Sequence, residues 1–196
     1  MVDIILVRHA STPWSGVRYC GISDPPLSPT GLAEARRLSE RLARDLPPDC
    51  RIVSSPSRRA LATASAIVDA ARAPGVSIDP RWREADVGVA EGRTFDELTE
   101  IAPDVAAAIA GGVLAIDWPG GETHASLVDR VTVALAELVT DGRPAVVVTH
   151  AGPFMHAVAL SERRAASTDD LVAPAAVRRI SVAEGSFRSS MLGSTA

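Results

Sequence analysis

The sequence contains no lysine, asparagine or glutamine, so its 20 cationic side chains are all arginines. The absence of lysine excludes Schiff-base chemistry on a lysine amine and the lysine of a P-loop. The absence of asparagine excludes a Cys-His-Asn triad and N-linked glycosylation. Composition alone therefore rules out two catalytic strategies and one nucleotide-binding motif.

Cysteine is also scarce, because the sequence has only Cys20 and Cys50, and neither lies in a CxxC pair or a Cys/His cluster. This pattern predicts no zinc site and a cytoplasmic location, with a disulfide between the two cysteines as an open alternative. The net charge of −4 does not favour nucleic acid as a partner. The N-terminal apolar run is too short for a signal peptide or a membrane span, so no membrane partner is expected.

Strand-like and helix-like patterns alternate along the chain. Apolar, β-branched runs predict buried strands at residues 4–7, 51–54 and 144–149. Helical periodicity predicts helices that begin near Ser28, Ser57, Glu122 and His150. The first helix is expected to turn its apolar stripe inward, with Leu32, Ala35, Leu38 and Leu42. This alternation is typical of a three-layer α/β/α fold with a mostly parallel open sheet.

Three further features complete the predicted architecture. Two short strands around Glu184 and Gly185 are expected to form a C-terminal hairpin on the sheet. Residues 94–118 are expected to form a helical cap segment over a pocket, since Pro103 and two glycines interrupt their helical pattern. With 196 residues the chain is predicted to be one domain, 1–196.

Two histidines directly follow predicted strands, at the edge where an open α/β sheet binds its ligands. His9 follows the first strand and His150 follows the most strand-like run. Arg8 precedes His9, while Arg58 and Arg59 begin a helix after the second strand. Because cations at a helix N-terminus oppose the macrodipole by up to about 1 kcal/mol, a bound anion is expected there.

Two imidazoles, two guanidinium groups and one carboxyl suit phosphoryl transfer through a phosphohistidine. One histidine would attack phosphorus, the arginines would stabilise its oxygens, and the acid would protonate the departing alkoxide. Glu84 is the candidate acid, and Asp86 and Glu91 are its nearby alternatives. Neighbouring negative charge is expected to raise the pKa of Glu84.

Five blocks of the sequence resemble the histidine phosphatase superfamily, which has the phosphoglycerate-mutase-like fold. They are LVRHAST, SSPSRRALATA, READVGVAEG, PGGET and VVVTHAGP, in the family's order over residues 3 to about 160. The loop RYCGISDPPLSPTG is similar to those of the α-ribazole phosphatase and fructose-bisphosphatase-type branch. The chain also lacks the insertions typical of cofactor-dependent mutases. The resemblance therefore implies a phosphatase.

The resemblance also implies a role for each candidate residue. His9 would accept the phosphoryl group, Glu84 would donate a proton, and the phosphoryl group would be held by Arg8, Arg59 and His150. Family spacing favours Arg59 over Arg58, because Ala60, Thr63 and Ala64 then follow in the expected pattern. The loop after the first strand would border the substrate through Ser15, Arg18, Cys20 and Gly21.

Three positions depart from the family pattern. Ala10 and Ala151 stand where glycine is usual, which requires a negative φ at both. Ser15 stands where asparagine is common, and its hydroxyl would replace the lost amide donor. Among the remaining residues, Trp14 is expected to wall the pocket, His124 to lie at the surface or pocket rim, and His156 on the helix after His150.

The sequence thus predicts a metal-independent phosphomonoesterase that acts on a small soluble phosphate ester through a phosphohistidine at His9, without a cofactor. A phosphoglycerate-mutase-type phosphoryl transferase and a catalytically silent phospholigand-binding protein are the alternatives. A dinucleotide-dependent oxidoreductase is disfavoured because no GxGxxG follows a strand, and a serine hydrolase because no GxSxG occurs. The sequence indicates neither the physiological substrate nor the oligomeric state.

Overall fold

A computed structural model of the protein describes residues 2–182 and contains one five-stranded sheet. The strands are β1 (Val2–Arg8), β2 (Arg51–Ser54), β3 (Ser77–Ile78), β4 (Ala145–Thr149) and β5 (Val177–Val182). Their spatial order is β3-β2-β4-β1-β5; the first four strands are parallel, and β5 is antiparallel to β1. The predicted mostly parallel sheet is confirmed.

Six α-helices accompany the sheet within residues 2–182. They are α1 (Pro29–Leu42), α2 (Arg58–Ala71), α3 (Phe95–Ile101), α4 (Pro103–Ala110), α5 (His124–Asp141) and α6 (Ala151–Ser161). Short 3₁₀ helices lie at Pro80–Trp82, Gly88–Ala90 and Thr168–Asp170. None of the helices described between residues 2 and 182 combines the length and apolarity needed to span a bilayer.

The core consists of two apolar layers, one on each face of the sheet. Because successive strand residues point to opposite faces, β1 contributes to both layers. Ile4 and Leu6 pack with residues of α5 and α6, whereas Ile5 and Val7 pack with residues of α1 and α2. This arrangement confirms the three-layer α/β/α architecture.

Three local predictions differ from the structure or lie beyond it. Leu32 was expected inward but is 58% exposed, because Gly31 occupies the stripe position that precedes Ala35, Leu38 and Leu42. Helix α5 begins at His124 rather than Glu122, since the Thr123 side chain accepts a hydrogen bond from the Ser126 N–H. The first strand of the predicted C-terminal hairpin is β5, and the turn and second strand fall outside the described residues.

The first turn of α1 fixes the loop that follows β1. The Ser28 side chain caps the helix by accepting from the Gly31 N–H at 3.0 Å, while the Ser28 N–H donates to the Ser11 carbonyl at 2.9 Å. The Ser11 N–H in turn donates to Glu34 Oε2 at 2.9 Å. A Cβ at Gly31 would lie 1.9 Å from the Ser11 carbonyl oxygen, so only glycine permits this approach.

We expect Gly31→Ala to lower the free energy of unfolding by about 1–3 kcal/mol, because the added methyl forces α1 away from the loop. Urea denaturation followed by circular dichroism measures the change. Gly111→Ala is the matched control, since Gly111 also has a negative φ and its Cβ would lie 3.3 Å from the Ala107 carbonyl oxygen. Equal stability losses in the two variants would contradict the packing argument.

Candidate active site

The pairing of β1 with β4 brings His9 and His150 together. Arg8 lies opposite Thr149 in this parallel register, so the residues that follow leave the sheet side by side. The His9 N–H donates to the Thr149 carbonyl at 2.9 Å. The two ring centroids are 5.0 Å apart with an interplanar angle of 62°. Two histidines separated by 141 positions in the sequence thus share one site.

His9 has the protonation state of a nucleophile. Its Nδ1 lies 2.8 Å from the Ala10 carbonyl oxygen. Because a carbonyl only accepts, this contact assigns the proton to Nδ1 and leaves the lone pair on Nε2. Burial lowers the pKa of His9 to about 3, with a smaller contribution from the charges of Arg59 and Arg8. The imidazole is therefore neutral at neutral pH, and its Nε2 is free to attack.

His150 is held by serines on the loop after β2. Its Nε2 lies 2.8 Å from Ser55 Oγ and 3.3 Å from Ser57 Oγ. Burial, and then the neighbouring His9 ring, hold the pKa of His150 well below its ordinary value. The opposite ring nitrogen, Nδ1, is buried and has no partner among the described residues. His150 is thus a rigid neutral group with one hydrogen-bonding position unused.

Two arginines complete the cationic side of the site. Arg59 is 1% exposed; its Nη1 donates to the Ser23 carbonyl at 2.6 Å and its Nη2 to the Gly21 carbonyl at 2.9 Å. Arg8 donates through Nη1 to the Val172 carbonyl, and burial lowers the pKa of Arg8. These contacts orient both guanidinium groups.

The unpaired polar atoms cluster at this site. Within residues 2–182, five buried side-chain nitrogen or oxygen atoms have no hydrogen-bond partner, and three of them are Arg8 Nε, Arg59 Nε and His150 Nδ1. A buried unpaired donor is unfavourable by about 1–3 kcal/mol. The two guanidinium nitrogens are N–H donors, and their chemistry matches an anion with several acceptor oxygens, such as a phosphoryl group.

The two adjacent arginines at the start of α2 have different surroundings. Arg58 is exposed, and its N–H donates to the Asp24 carboxylate at 2.8 and 2.9 Å. The chain's own Asp24 therefore supplies a carboxylate at this helix terminus. Arg59 lies one residue further and is buried in the site, where Asp24 Oδ1 is 3.7 Å from its Nη1.

Glu84 is the acidic side chain that shares a cavity with His9. Its Oε1 accepts from the Ala85 N–H at 3.0 Å and from the Gly152 N–H at 3.2 Å, at the start of α6. A Cβ at Gly152 would lie 2.5 Å from Oε1, so the helix reaches the carboxyl only through glycine. Burial raises the pKa of Glu84 against the opposing effect of these donors and of Arg8.

The two alternative acids are engaged elsewhere. Asp86 Oδ1 accepts from the Gly88 N–H at 3.0 Å. The Glu91 carboxylate accepts three backbone N–H groups of the loop, those of Gly21, Ile22 and Ser23. Both therefore stabilise backbone turns, and Glu84 is the carboxyl positioned beside the histidines.

Three of the four expected substrate-binding residues line the same cavity as His9: Ser15, Arg18 and Cys20. Ser15 Oγ accepts from the Thr12 N–H at 2.9 Å. Arg18 Nη1 donates to the Gly92 carbonyl at 2.7 Å and pairs with Glu97 at 3.3 Å. Burial raises the pKa of Cys20 to about 11, so its thiol is protonated at neutral pH.

The fourth, Gly21, has its backbone engaged within the protein. Its N–H donates to Glu91 and its carbonyl accepts from Arg59. A Cβ at Gly21 would lie 2.3 Å from the Ala85 carbonyl oxygen. Gly21 lines a separate cavity of about 270 Å³ together with Arg59, Glu84 and His150.

The cavity beside His9 has a volume of about 390 Å³. Polar residues line the end at the sheet, and apolar side chains form most of the remaining wall, among them Tyr19, Val87, Ile109, Val113, Leu114, Ile116, Trp118, Leu127 and Met155. Several come from residues 94–118, and Trp14 lines the cavity as expected. Periodicity could not identify the members from 113 to 116, because they belong to no helix or strand.

A second histidine pair lines the same cavity. His124, at the start of α5, and His156, in α6, have ring centroids 4.9 Å apart. Burial, then the neighbouring His124, lowers the pKa of His156 to about 4. The sequence placed His124 at the surface or pocket rim and His156 on the helix after His150, but gave no sign that the two rings meet.

The two alanines that replace family glycines fit the backbone. Among residues 2–182, the non-glycine residues with positive φ are Arg72, Arg163 and Ala175. Ala10 and Ala151 therefore have negative φ, as their side chains require. The Ala10 N–H donates to Thr63 Oγ1 at 3.1 Å, which ties the residue after His9 to α2.

The buried histidines make stability depend on pH. The pKa of His156 is about 4 in the folded protein, below its ordinary value of 6.5, so on acidification this histidine is protonated first in the unfolded chain. This contribution to stability is complete above pH 6.5 and is lost as pH falls. In His156→Phe we expect the free energy of unfolding to decrease less steeply as the pH falls near pH 5. The slopes of the wild type and the variant should differ by about 1.4 kcal/mol per pH unit. Urea titrations at several pH values measure both slopes, and identical slopes would contradict the assignment.

Comparison with known proteins identifies the relatives of this chain. The model of the histidine phosphatase superfamily (branch 1) matches residues 4–195. The protein named "Probable phosphoglycerate mutase GpmB" from Salmonella paratyphi C is 38% identical over 151 residues, which cover 75% of this chain and 69% of that protein.

Solved structures share the architecture. A mycobacterial glucosyl-3-phosphoglycerate phosphatase, in complex with VO3, has a TM-score of 0.82 and 26% identity over 92% of this chain and 91% of its own. An Escherichia coli K-12 protein proposed to be an alpha-ribazole-5′-P phosphatase has a TM-score of 0.70 and 24% identity over 81% and 78%. The family match, the curated relative and the fold agree, and this chain belongs to the histidine phosphatase superfamily.

Proposed function

We propose that this protein is a metal-independent phosphomonoesterase that hydrolyses a small phosphate ester through a phosphohistidine at His9. The observation that carries the proposal is the buried His9, whose Nδ1 lies 2.8 Å from the Ala10 carbonyl oxygen, next to a buried arginine and the His150 ring. One domain over residues 1–196 and a cytoplasmic location are part of the proposal. A single family match over residues 4–195 and two free thiols support them.

The first step transfers the phosphoryl group to the enzyme. His9 Nε2 attacks phosphorus, the bond from phosphorus to the ester oxygen breaks, and its electron pair goes to the departing alcohol oxygen. Protonated Glu84 donates its proton to that oxygen, a role that its raised pKa supports. Arg8, Arg59 and His150 donate hydrogen bonds to the remaining phosphoryl oxygens.

The second step regenerates the enzyme. Ionised Glu84 accepts a proton from water as the water oxygen attacks phosphorus. The bond from phosphorus to Nε2 breaks, its electron pair returns to His9, and inorganic phosphate leaves. The two guanidinium groups supply the charge stabilisation, so the proposal expects full activity in EDTA.

Removal of the nucleophile tests the proposal. We expect His9→Ala to lower kcat for 4-nitrophenyl phosphate in EDTA by about 10³-fold or more. Acid-labile, base-stable phosphate on the wild-type chain after quenching would identify the phosphohistidine. Arg58→Ala, which changes an exposed arginine outside the two cavities beside His9 and Glu84, serves as the control and should retain activity. Turnover by His9→Ala at the wild-type rate would refute the proposal.

The cavity wall favours hydrolysis of an ester with a largely apolar alcohol. Beyond the phosphate end, the cationic side chain that lines the cavity is Arg18, and Glu97 already pairs with it. A phosphoglycerate carries a carboxylate in addition to its phosphate, and the mostly apolar wall offers that charge no unpaired arginine, since its polar groups are mainly Arg18 and the His124–His156 pair. Apolar surface, by contrast, gains roughly 25 cal/mol for each Å² that is buried.

A comparison of two substrates checks this preference. We expect kcat/KM for 1-naphthyl phosphate to exceed that for 3-phosphoglycerate by about tenfold or more, because the wall buries an apolar ring but gives a carboxylate no unpaired cationic partner among its arginines. Phosphate release and formation of 2-phosphoglycerate are both measured. Formation of 2-phosphoglycerate would favour the mutase alternative, to which the likeness to GpmB points. Faster phosphate release from 3-phosphoglycerate than from 1-naphthyl phosphate would instead contradict the preference for an apolar alcohol.

The silent phospholigand-binding alternative rests on the departures at Ala10, Ser15 and Ala151. Negative φ at both alanines and the retained set of charged residues argue against it. Tight binding of phosphate esters without turnover would support it.

A further inference from the structure

A buried ion pair lies behind the segment that carries Glu84. Glu122, the acid of the PGGET motif, and Arg130 of α5 have side chains that are 6% and 10% exposed. Arg130 donates through Nε to Glu122 Oε1 at 2.7 Å and through Nη2 to Oε2 at 2.8 Å. This two-point contact fixes the plane of the guanidinium group.

The third nitrogen of Arg130 holds the backbone just before Glu84. Nη1 donates to the Arg81 carbonyl at 2.6 Å and to the Arg83 carbonyl at 2.7 Å. Between them, the Trp82 carbonyl accepts from Thr149 Oγ1 at 2.7 Å. The three carbonyls that precede Glu84 are therefore held by side chains.

The PGGET turn holds the same segment on its other side. The Glu122 N–H donates to the Asp86 carbonyl at 2.8 Å. A Cβ at Gly121 would lie 2.2 Å from that carbonyl oxygen and 2.6 Å from the Gly88 nitrogen, so glycine is needed for the approach. The turn and Arg130 thus hold the backbone on both sides of Glu84, although neither contacts its carboxyl.

We propose that Glu122 and Arg130 are positioning residues that keep Glu84 where it can transfer a proton, an inference that rests on the proposed function. Arg130 and Glu122 act through the backbone of residues 81–86. A buried ion pair contributes little net stability compared with apolar side chains of the same size, but it fixes geometry. Proton transfer depends steeply on geometry, since donor and acceptor must lie within hydrogen-bonding distance.

The leaving group distinguishes positioning from general stability. 4-Nitrophenolate departs without a proton, whereas phenolate departs much faster when an acid protonates it. The ratio kcat/KM reports the steps up to departure of the alcohol, so it is independent of the later attack by water. A displaced Glu84 therefore lowers kcat/KM selectively for phenyl phosphate. A general loss of folded enzyme instead lowers kcat/KM by the same factor for both substrates.

The experiment measures kcat/KM for phenyl phosphate and 4-nitrophenyl phosphate in a set of variants. We expect Arg130→Met to lower the value for phenyl phosphate by about tenfold or more, and that for 4-nitrophenyl phosphate by less than about threefold. Arg130→Lys, which keeps the charge but loses the planar fork, should show a smaller selective loss. Glu122→Gln preserves the side-chain volume and provides the same test if Arg130→Met does not fold.

Two further variants serve as the reference and the control. Glu84→Gln removes the acid and should show the largest selective loss. Arg164→Met breaks a comparable pair, because Arg164 contacts buried Asp170 at two points, both at 2.6 Å, away from residues 81–86. Arg164→Met should change kcat/KM by the same factor for both substrates.

The outcomes separate the two proposals. In one outcome, Glu84→Gln lowers kcat/KM selectively for phenyl phosphate, but Arg130→Met and Glu122→Gln lower kcat/KM by the same factor for both substrates. That outcome would overturn the positioning role and leave the proposed function intact. If Glu84→Gln lowers kcat/KM by the same factor for both substrates, both the acid assignment and the positioning role are overturned. Unchanged kcat/KM in the Arg130 and Glu122 variants would also overturn the positioning role.

Discussion

The parallel pairing of β1 with β4 is the constraint on which the site depends. Neighbouring strands lie about 4.8 Å apart, so residues that leave two paired strands at equal register begin at that separation. Arg8 pairs with Thr149, and the next residue on each strand is a histidine. The 5.0 Å distance between the ring centroids follows from this register. A slip of one residue would turn one imidazole to the opposite face.

Burial gives these side chains their chemistry. Removal from water disfavours the charged form of an imidazole, which leaves His9 and His150 neutral beside two guanidinium groups. The same removal favours the protonated form of Glu84. One physical effect therefore favours the protonation states that the proposed nucleophile and the proposed acid need. Backbone carbonyls hold both guanidinium groups in this environment, and the carboxylate of Asp24 lies near Arg59.

The sequence predicted helices and strands correctly where β-branched runs or helix-capping residues were clear. The β-branched runs gave the central strands, and Ser28-Pro29 gave the start of α1. Predictions failed where two residues fit the same local pattern and only tertiary packing distinguishes them. Leu32 fits a helical stripe as well as Gly31 does, yet close contact with Ser11 selects glycine. The carboxylate that caps the start of α2 belongs to Asp24, 34 positions earlier, and no local pattern could connect it with that helix.

The sequence by itself determined the alternation of strands and helices, the residue types of the site and, through ordered motifs, the superfamily. These are properties of neighbouring residues, so periodicity and spacing record them. Only the tertiary structure decided which acid stands beside His9, since Glu84 accepts from the distant Gly152 N–H, Glu91 from the distant Gly21 N–H, and Asp86 from nearby Gly88. It also decided that Glu122 and Arg130 hold that segment and that His124 meets His156. Such contacts join residues far apart in the chain, and their formation depends on how the layers pack.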